Sequence, residues 1–468
     1  MPEIEGFIDF RHGKDRLHRF GFGGPFGERN GSTTRHAIGR ADVSAKRVHR
    51  KGHIHTEEGG IMNKGPLSGY KVIEFATYVA APSGIRILAD WGADVIKIEA
   101  AAGDDYRTNW NVYSMPGDSD LCNPCFDLVG VNKRFMVIDL RTDEGRDILY
   151  TMLEDAQAFV TSARDKALKK LGLDWETLHA KFPRLVYGHC RGYGEHGAMK
   201  NSPGYDYTAY HARSGVGGSL YEKGGAPMIG GPGFGDLQTG LALAGGVAAA
   251  LVGAERTGVG DRVVVSLNSV GVYVMSLAHT ASQFGGYSLP TSRRTVSNPF
   301  NSTYKTSDGK WIQFCVAAPE LGYNHFMETI GREDLKDDPR YCKMDYMREH
   351  HHDEFVSIIE EALAQKTMAE WEKILTEADI AFGPMYESAD VLADPEIWDN
   401  EYAEKVTYPT GDEAILIHPP ARLDSVGTAP LVPSRGIGAD TEAILREHGY
   451  SDEQIRAWEE SGVVTQHA

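Results

Sequence analysis

Residues 70–99 read YKVIEFATYVAAPSGIRILADWGADVIKIE, and this stretch decides the fold. Tyr70 to Phe75 is an apolar, strand-length run, Pro82 suits the first turn of a helix ending near Gly92, and Ala93 to Glu99 is a second strand-like run. Strand, helix and strand in so short a span make a βαβ unit, whose two strands lie parallel with the helix across one face. The alternation continues C-terminally: Phe135 to Leu140 as strand, a helix capped by Thr142 and reaching about Asp155, Ala158 to Thr161 as strand, a helix from Asp174 to Phe182, and Leu185 to Tyr187 as strand. This pattern predicts an α/β fold, an open, parallel, Rossmann-like sheet with helices on both faces.

Further along, a helix is expected from Leu237 to about Ala254, a strand over Arg262 to Leu267 and a helix from about Ser269 to Phe284. The texture then changes to a polar, Pro- and Asn-containing segment, Leu289 to Asn301. Beyond it, Asp308-Gly309 signals a hairpin within Tyr304 to Val316. Helices follow near Glu320 to Ile330, Glu354 to Ala364 and Met368 to Ala378; a turn stands at Pro409-Thr410-Gly411, and two last helices begin after Ala439 and Ser451. The expected organisation is a large α/β domain over 62–288, a small α+β domain over 289–395, and a segment over 396–468 that returns to the large domain. Residues 1–61 hold 11 Gly, 11 Lys plus Arg, 8 Asp plus Glu and 6 of the 18 His. No helical or strand period persists there, so the segment reads as a disordered or non-native extension. Glu57-Glu58-Gly59-Gly60 ahead of Met62 is what a purine-rich ribosome-binding sequence would encode if translated. A start at Met62 is therefore expected, and a peptide from residues 1–61 in protein from the source cell would refute it.

The formal charge of −18 disfavours a nucleic-acid or anionic-membrane surface. No uninterrupted apolar run of membrane-spanning length stands out, and the start, Met-Pro-Glu-Ile-Glu, is unlike a leader, so a cytoplasmic protein is expected. The five cysteines, Cys122, Cys125, Cys190, Cys315 and Cys342, are odd in number and scattered, which argues against a disulfide framework. Cys122 and Cys125 form a lone C-x-x-C without the further ligands that zinc requires, so two ordinary thiols are expected and no metal site.

The chemistry-bearing feature is the glycine-packed loop Gly224 to Gly235, with Asp236 at its end, before the apolar helix. Six glycines in those twelve residues let backbone N–H groups approach a ligand. The plainer reading of Asp236 is a helix N-cap. Neither this loop nor the 76–84 loop carries G-x-G-x-x-G, and no G-x-x-x-x-G-K-[ST] occurs, so dinucleotide binding and nucleotide phosphoryl transfer are unsupported.

In order and spacing, several segments together resemble the class III CoA-transferases: Pro66 to Phe75, Leu88 to Glu99, Gly103-Asp-Asp-Tyr-Arg107, Asn132-Lys-Arg134, Leu171-Gly-Leu173, Pro183-Arg-Leu185, Pro203-Gly-Tyr-Asp206, Gly235-Asp236 and Thr257-Gly-Val-Gly260. The resemblance covers Gly65 to about Ile455. Pro203 to Arg213 and Leu220 to Gly224 are most like the branch acting on (R)-2-hydroxy acids. The resemblance implies that Asp236 is the catalytic carboxylate. With an ordinary pKa of about 3.9 it would already be ionised at neutral pH, able to attack a thioester and pass through an aspartyl anhydride and an aspartyl-CoA thioester. It further implies oxyanion support from Gly230, Gly231, Gly233 and Gly235, CoA contacts from Tyr78, Ala80, Arg141 and Lys170, and Tyr205 and Asp206 near the reaction centre. Without the resemblance, Arg141 and Lys170 read as surface cations and Asp206 as a helix cap. Thr77, Ala100 and Ser162 depart from the family pattern. Also implied are an interlocked homodimer, a CoA thioester as substrate with no permanently bound cofactor, a small carboxylic acid as co-substrate, and a 2-hydroxyacyl-CoA dehydratase downstream. Two alternatives stay open. The α-methylacyl-CoA racemases share the fold but place a histidine where Tyr205 stands; a catalytically silent acyl-CoA-binding protein is the other.

Overall fold

The computed structural model describes residues 65–113, 115, 122–285, 289–424 and 427–466; the expectations for residues 1–61 lie outside them. The first half alternates β1 (Lys71–Phe75), α1 (Ala80–Asp90), β2 (Asp94–Glu99), α2 (Pro124–Gly130), β3 (Arg134–Ile138), α3 (Asp143–Leu153) and β4 (Ala158–Thr161). It continues with α4 (Asp165–Leu171), α5 (Trp175–Lys181), β5 (Val186–Arg191), α6 (Phe234–Thr257), β6 (Arg262–Ser266), α7 (Leu267–Val274) and α8 (Ser276–Ser282). Then come β7 (Thr303–Lys305), β8 (Trp311–Phe314), α9 (Pro319–Thr329), α10 (Met344–His350), α11 (His352–Leu363), α12 (Met368–Glu377) and β9 (Phe382–Pro384). The last part holds α13 (Ser388–Ala393), α14 (Pro395–Asp399), β10 (Ala403–Thr407), β11 (Glu413–Ile417), α15 (Thr441–Glu447), α16 (Asp452–Ser461) and β12 (Val464–Thr465).

Seven strands form the main sheet in the order β12-β3-β2-β1-β4-β5-β6. All neighbours are parallel except the edge strand β12, which runs antiparallel on β3. The expected α/β sheet is therefore present, with one antiparallel edge that no sequence period announced. Successive residues of β1 serve opposite faces: Val72 packs with Val95, Val160, Leu88 and Leu243, and Ile73 with Ile96, Met136, Phe159 and Leu149. Each such buried side chain contributes about 1.5–3 kcal/mol through removal from water. A separate core joins Phe300, Phe314, Phe326, Phe355 and Trp371 around β7, β8 and β9.

The α1–α6 crossing is close because both helices present glycine. A Cβ on Gly84 would stand 2.5 Å from the Gly240 carbonyl oxygen, and one on Gly240 would stand 2.8 Å from the Gly84 nitrogen. One sequence expectation about α6 is corrected. It is long and apolar enough to cross a membrane, yet one side packs on α1 and the sheet. Its other side leaves Leu241 and Val252 exposed. The expected helix after β6 is broken at Met275 into α7 and α8.

Beneath β1 lies a fully buried charge cluster. Glu74 accepts hydrogen bonds from Lys97 Nζ at 2.9 Å and Lys133 Nζ at 2.6 Å. Lys97 also donates to the Ala76 carbonyl at 2.6 Å, and Lys133 to the Pro82 carbonyl at 2.8 Å. Lys97 therefore grips the β1–α1 loop and Lys133 the first turn of α1, and breaking such a buried pair costs about 3–5 kcal/mol.

Candidate active site

A cavity of about 710 Å³ opens at the carboxyl ends of β1, β4 and β5. The chain leaves β1 toward β2 on one side and reaches β4 on the other, so the cavity occupies the point where the strand order reverses. In open α/β sheets ligands bind in the crevice at that point. Three loops build the walls: 77–80 after β1, 162–165 after β4 and 192–207 after β5.

In the first loop Tyr78 is held in the left-handed region, φ 63°. Its N–H donates to Asp104 Oδ1 at 3.1 Å, and Asp104 also accepts the Tyr106 N–H at 3.0 Å and pairs with Lys97 at 2.9 Å. The strained turn is thereby tied to the buried cluster. The Tyr78 ring meets that of Tyr205 edge to face, centroids 6.3 Å apart, at the cavity wall. Tyr106, Tyr113, Tyr193 and Tyr207 add to a lining that also contains Leu128, Leu267 and Ile417.

Asp236 is not the N-cap. Gly233, at φ 73°, takes that position, α6 begins at Phe234, and Asp236 sits in the first turn. The capping carboxylate comes from elsewhere: Asp206 Oδ1 accepts the Gly235 N–H at 3.0 Å. Asp206 opens a single π-helical turn, Asp206–Ala212, a local distortion often found at functional sites. Burial raises the Asp206 carboxyl, an effect opposed by His211 and by the N–H groups of Gly235, Gly233 and Asp236.

Asp236 lines the cavity, and its carboxyl is pushed up to about 7 by burial and then by the charge of Asp206. The helix N-terminus pulls the other way, but typically by 0.3–1 kcal/mol, less than one pKa unit, so burial and the neighbouring charge win. The expectation of a carboxylate with an ordinary pKa is thus corrected: near pH 7 it is about half ionised. Burial also pushes the adjoining Cys190 thiol up to about 12, which leaves it inert.

Of the residues singled out from sequence, Tyr78, Ala80, Tyr205, Asp206, Gly233 and Asp236 all line this cavity. Gly235 does not; a Cβ there would run into the Tyr210 ring and Asp206, and its N–H is committed to Asp206. Gly230 packs against the His211 ring, and Gly231 lies outside the lining. Arg141 and Lys170 also lie outside it: Arg141 is exposed and pairs with Asp139 at 2.7 Å, and Lys170 is exposed on α4. The cations that do line the cavity include Arg164 and Lys200, neither of which has an ion-pair partner among the described residues, and Arg191, which is held by Asp165 at 2.6 and 2.9 Å. A signal for them was present in the sequence. They follow the ends of two predicted strands, β4 and β5, that lie together on one side of the switch point, where ligand contacts concentrate.

The arrangement offers a half-buried carboxylate of raised pKa beside an aromatic and aliphatic chamber, with unpaired positive charge on its wall. The model of CoA-transferase family III matches residues 67–441. The chain is 41% identical over 403 residues to cinnamoyl-CoA:phenyllactate CoA-transferase of Clostridium sporogenes, covering 85% of this chain and 97% of that one. It is 39% identical over 398 residues to (R)-2-hydroxy-4-methylpentanoate CoA-transferase of Clostridioides difficile, covering 85% and 99%. A CAIB/BAIF family protein from Brucella suis superposes with a TM-score of 0.70 at 27% identity, over 82% of this chain and 99% of that one.

Proposed function

The chain belongs to CoA-transferase family III and is an enzyme that transfers coenzyme A, and from that premise we propose that it moves CoA from an acyl- or enoyl-CoA to an (R)-2-hydroxy acid. The observation that carries this reading is Asp236, half-buried at the switch-point cavity in a tyrosine-lined wall. The ionised carboxylate attacks the thioester carbonyl and CoA thiolate leaves, giving an acyl-aspartyl anhydride. Thiolate returns to the aspartyl carbonyl, forming aspartyl-CoA thioester and releasing the donor acid. The acceptor carboxylate attacks that thioester, a second anhydride forms with loss of thiolate, and thiolate then takes the new acyl group, restoring Asp236.

In this reading Tyr78 and Ala80 flank the pantetheine arm, and Arg164 and Lys200 meet phosphate. Arg141 and Lys170, outside the cavity, are left for the nucleotide end. With the Gly233 and Gly235 N–H groups turned to Asp206, oxyanion support from Gly230 and Gly231, both outside the cavity lining, calls for the loop to close over the bound thioester. The division into 62–288, 289–395 and 396–468 belongs to the same proposal, supported by the separate core around Phe300 and Trp371. So does a homodimer: Tyr273, Leu277 and Phe284 are each about four-fifths exposed on or beside α7 and α8, an apolar face that a second copy would cover. A cytoplasmic setting and a dehydratase consuming the 2-hydroxyacyl-CoA complete it.

The test is to incubate the enzyme with an acyl-CoA, trap with hydroxylamine or borohydride and map the modified peptide, alongside a panel of CoA donors and 2-hydroxy acid acceptors. Modification at Asp236 with CoA exchange and no proton exchange at the substrate α-carbon is expected. Turnover with Asp236 unmodified sinks the reading, and α-proton exchange without CoA exchange marks an isomerase instead.

A further inference from the structure

The Asp206 and Asp236 carboxylates share one buried corner, and among the described residues no lysine or arginine pairs with either. The basic side chain within reach is His211, at the far end of the π-helical turn that begins with Asp206. Its Nε2 lies 3.6 Å from Asp206 Oδ1. Both residues are nearly inaccessible, at 8% and 5% exposure, and His211 Nε2 and Asp206 Oδ2 are each buried without a hydrogen-bond partner. The imidazole is fixed by packing: Tyr207 and Phe234 lie along its faces, with centroids 6.1 and 5.7 Å away, and a Cβ on Gly230 would come within 2.6 Å of Nδ1. The glycine loop thus closes over the imidazole and keeps it against Asp206.

We propose that His211 is a positioning residue for the transfer reaction: its basic imidazole, held against Asp206, offsets the charge that would otherwise oppose ionisation of Asp236. This rests on Asp236 being the nucleophile. The other titratable groups facing the two carboxylates are Tyr106 and Tyr113 from the 105–113 segment, Cys190 from β5 and Tyr210 from the π turn. Burial raises every one of them, so each is neutral at working pH and none can supply the charge. Asp206 therefore plays two parts, capping α6 through the Gly235 N–H and setting how readily the α6 carboxylate gives up its proton. The histidine tunes the second part.

The experiment is the pH profile of kcat/KM, which reports the free enzyme, for wild type, His211→Phe, His211→Gln and Asp206→Asn, with acyl trapping at Asp236 in each. His211→Phe keeps an aromatic ring against Tyr207 and Phe234 and removes the ring nitrogens that face Asp206. The acid limb is expected to move upward in both His211 variants and downward in Asp206→Asn, by about one pH unit, the scale on which one close charge moves a carboxylate. A uniform loss of rate with coincident limbs, Asp236 still being acylated, would mean that His211 only packs, and overturns the inference while leaving the proposed function intact. Absence of acylation at Asp236 in the wild type overturns the proposed function itself.

Discussion

Asp236→Asn is expected to stabilise the free enzyme, and more so as pH rises. The folded carboxyl sits at about 7 against an ordinary 3.8, so ionising it in the native state costs about 3 pKa units, or ~4 kcal/mol at about 1.36 kcal/mol per unit. The unfolded chain loses this proton near pH 4, whereas the native state keeps it until about pH 7. Native stability contributed by the proton is thus complete below pH 4 and is progressively lost up to pH 7, where the full penalty is reached. At pH 5 only the part of the penalty between 3.8 and 5 applies; at pH 8 the whole applies. The gain from Asp236→Asn should therefore be larger at pH 8 than at pH 5 by about two units, or ~2.7 kcal/mol. With an unfolding entropy of about 2.1 cal/mol/K per residue over roughly 400 residues, that is ~3 °C in Tm. Thermal melts of both proteins at the two pH values measure it, and pH-independent effects of the amide cancel in the double difference. An increment that is equal at both pH values, or larger at pH 5, would refute the assignment of a raised pKa to this carboxylate.

Asp236→Ala is expected to lower kcat for CoA transfer by roughly 10³-fold or more, with the fold retained by circular dichroism. Gly240→Ala puts a methyl into the Gly84 backbone and should cost about 1–3 kcal/mol in urea unfolding; unchanged stability would contradict the close α1–α6 crossing. Lys97→Met leaves Glu74 and Asp104 facing each other with one cation fewer, and should cost about 3–5 kcal/mol by the same assay. Tyr78→Gly relieves a left-handed residue worth about 1–2 kcal/mol, so it should melt no lower than wild type while raising KM for the acyl-CoA.

The strand–helix alternation was legible because its main elements, such as β1, α1, β2 and α3, are long enough to show their period, and helices there open on a capping residue such as Thr142 or Asp174, both of which do cap their helices. What escaped was whatever depends on a distant partner. Sequence proximity makes Asp236 look like a cap, but the capping oxygen arrives from Asp206, whose turn has a π geometry that no 3.6-residue pattern announces. Short helices such as α2 and α4 lack enough turns to display a face. The cavity residues around Tyr78, Tyr205 and Asp236 were found through motif resemblance, whereas Arg164 and Lys200 required knowing which strand ends adjoin. Arg141 and Lys170 looked equally basic, and only the placement of β3 and α4 shows that they stand away from the chamber.

The two-residue strand β12 has a bearing on biosynthesis. Val464 and Thr465 pair with Ile138 and Val137 and close the β3 edge, while Asp440 and Thr441 bond the backbone of Phe135 and Val137 on the same strand. The sheet that frames the cavity thus has its rim sealed by residues that leave the ribosome over 300 positions after β3 was made. Until then β3 offers an unpaired strand edge, a template for intermolecular pairing, whereas the core around Phe300 to Leu375 is contiguous and can condense beforehand. A chain stopped between residues 417 and 440 would carry every cavity-lining residue and still expose that rim, making aggregation the characteristic fate of nonsense alleles in that interval.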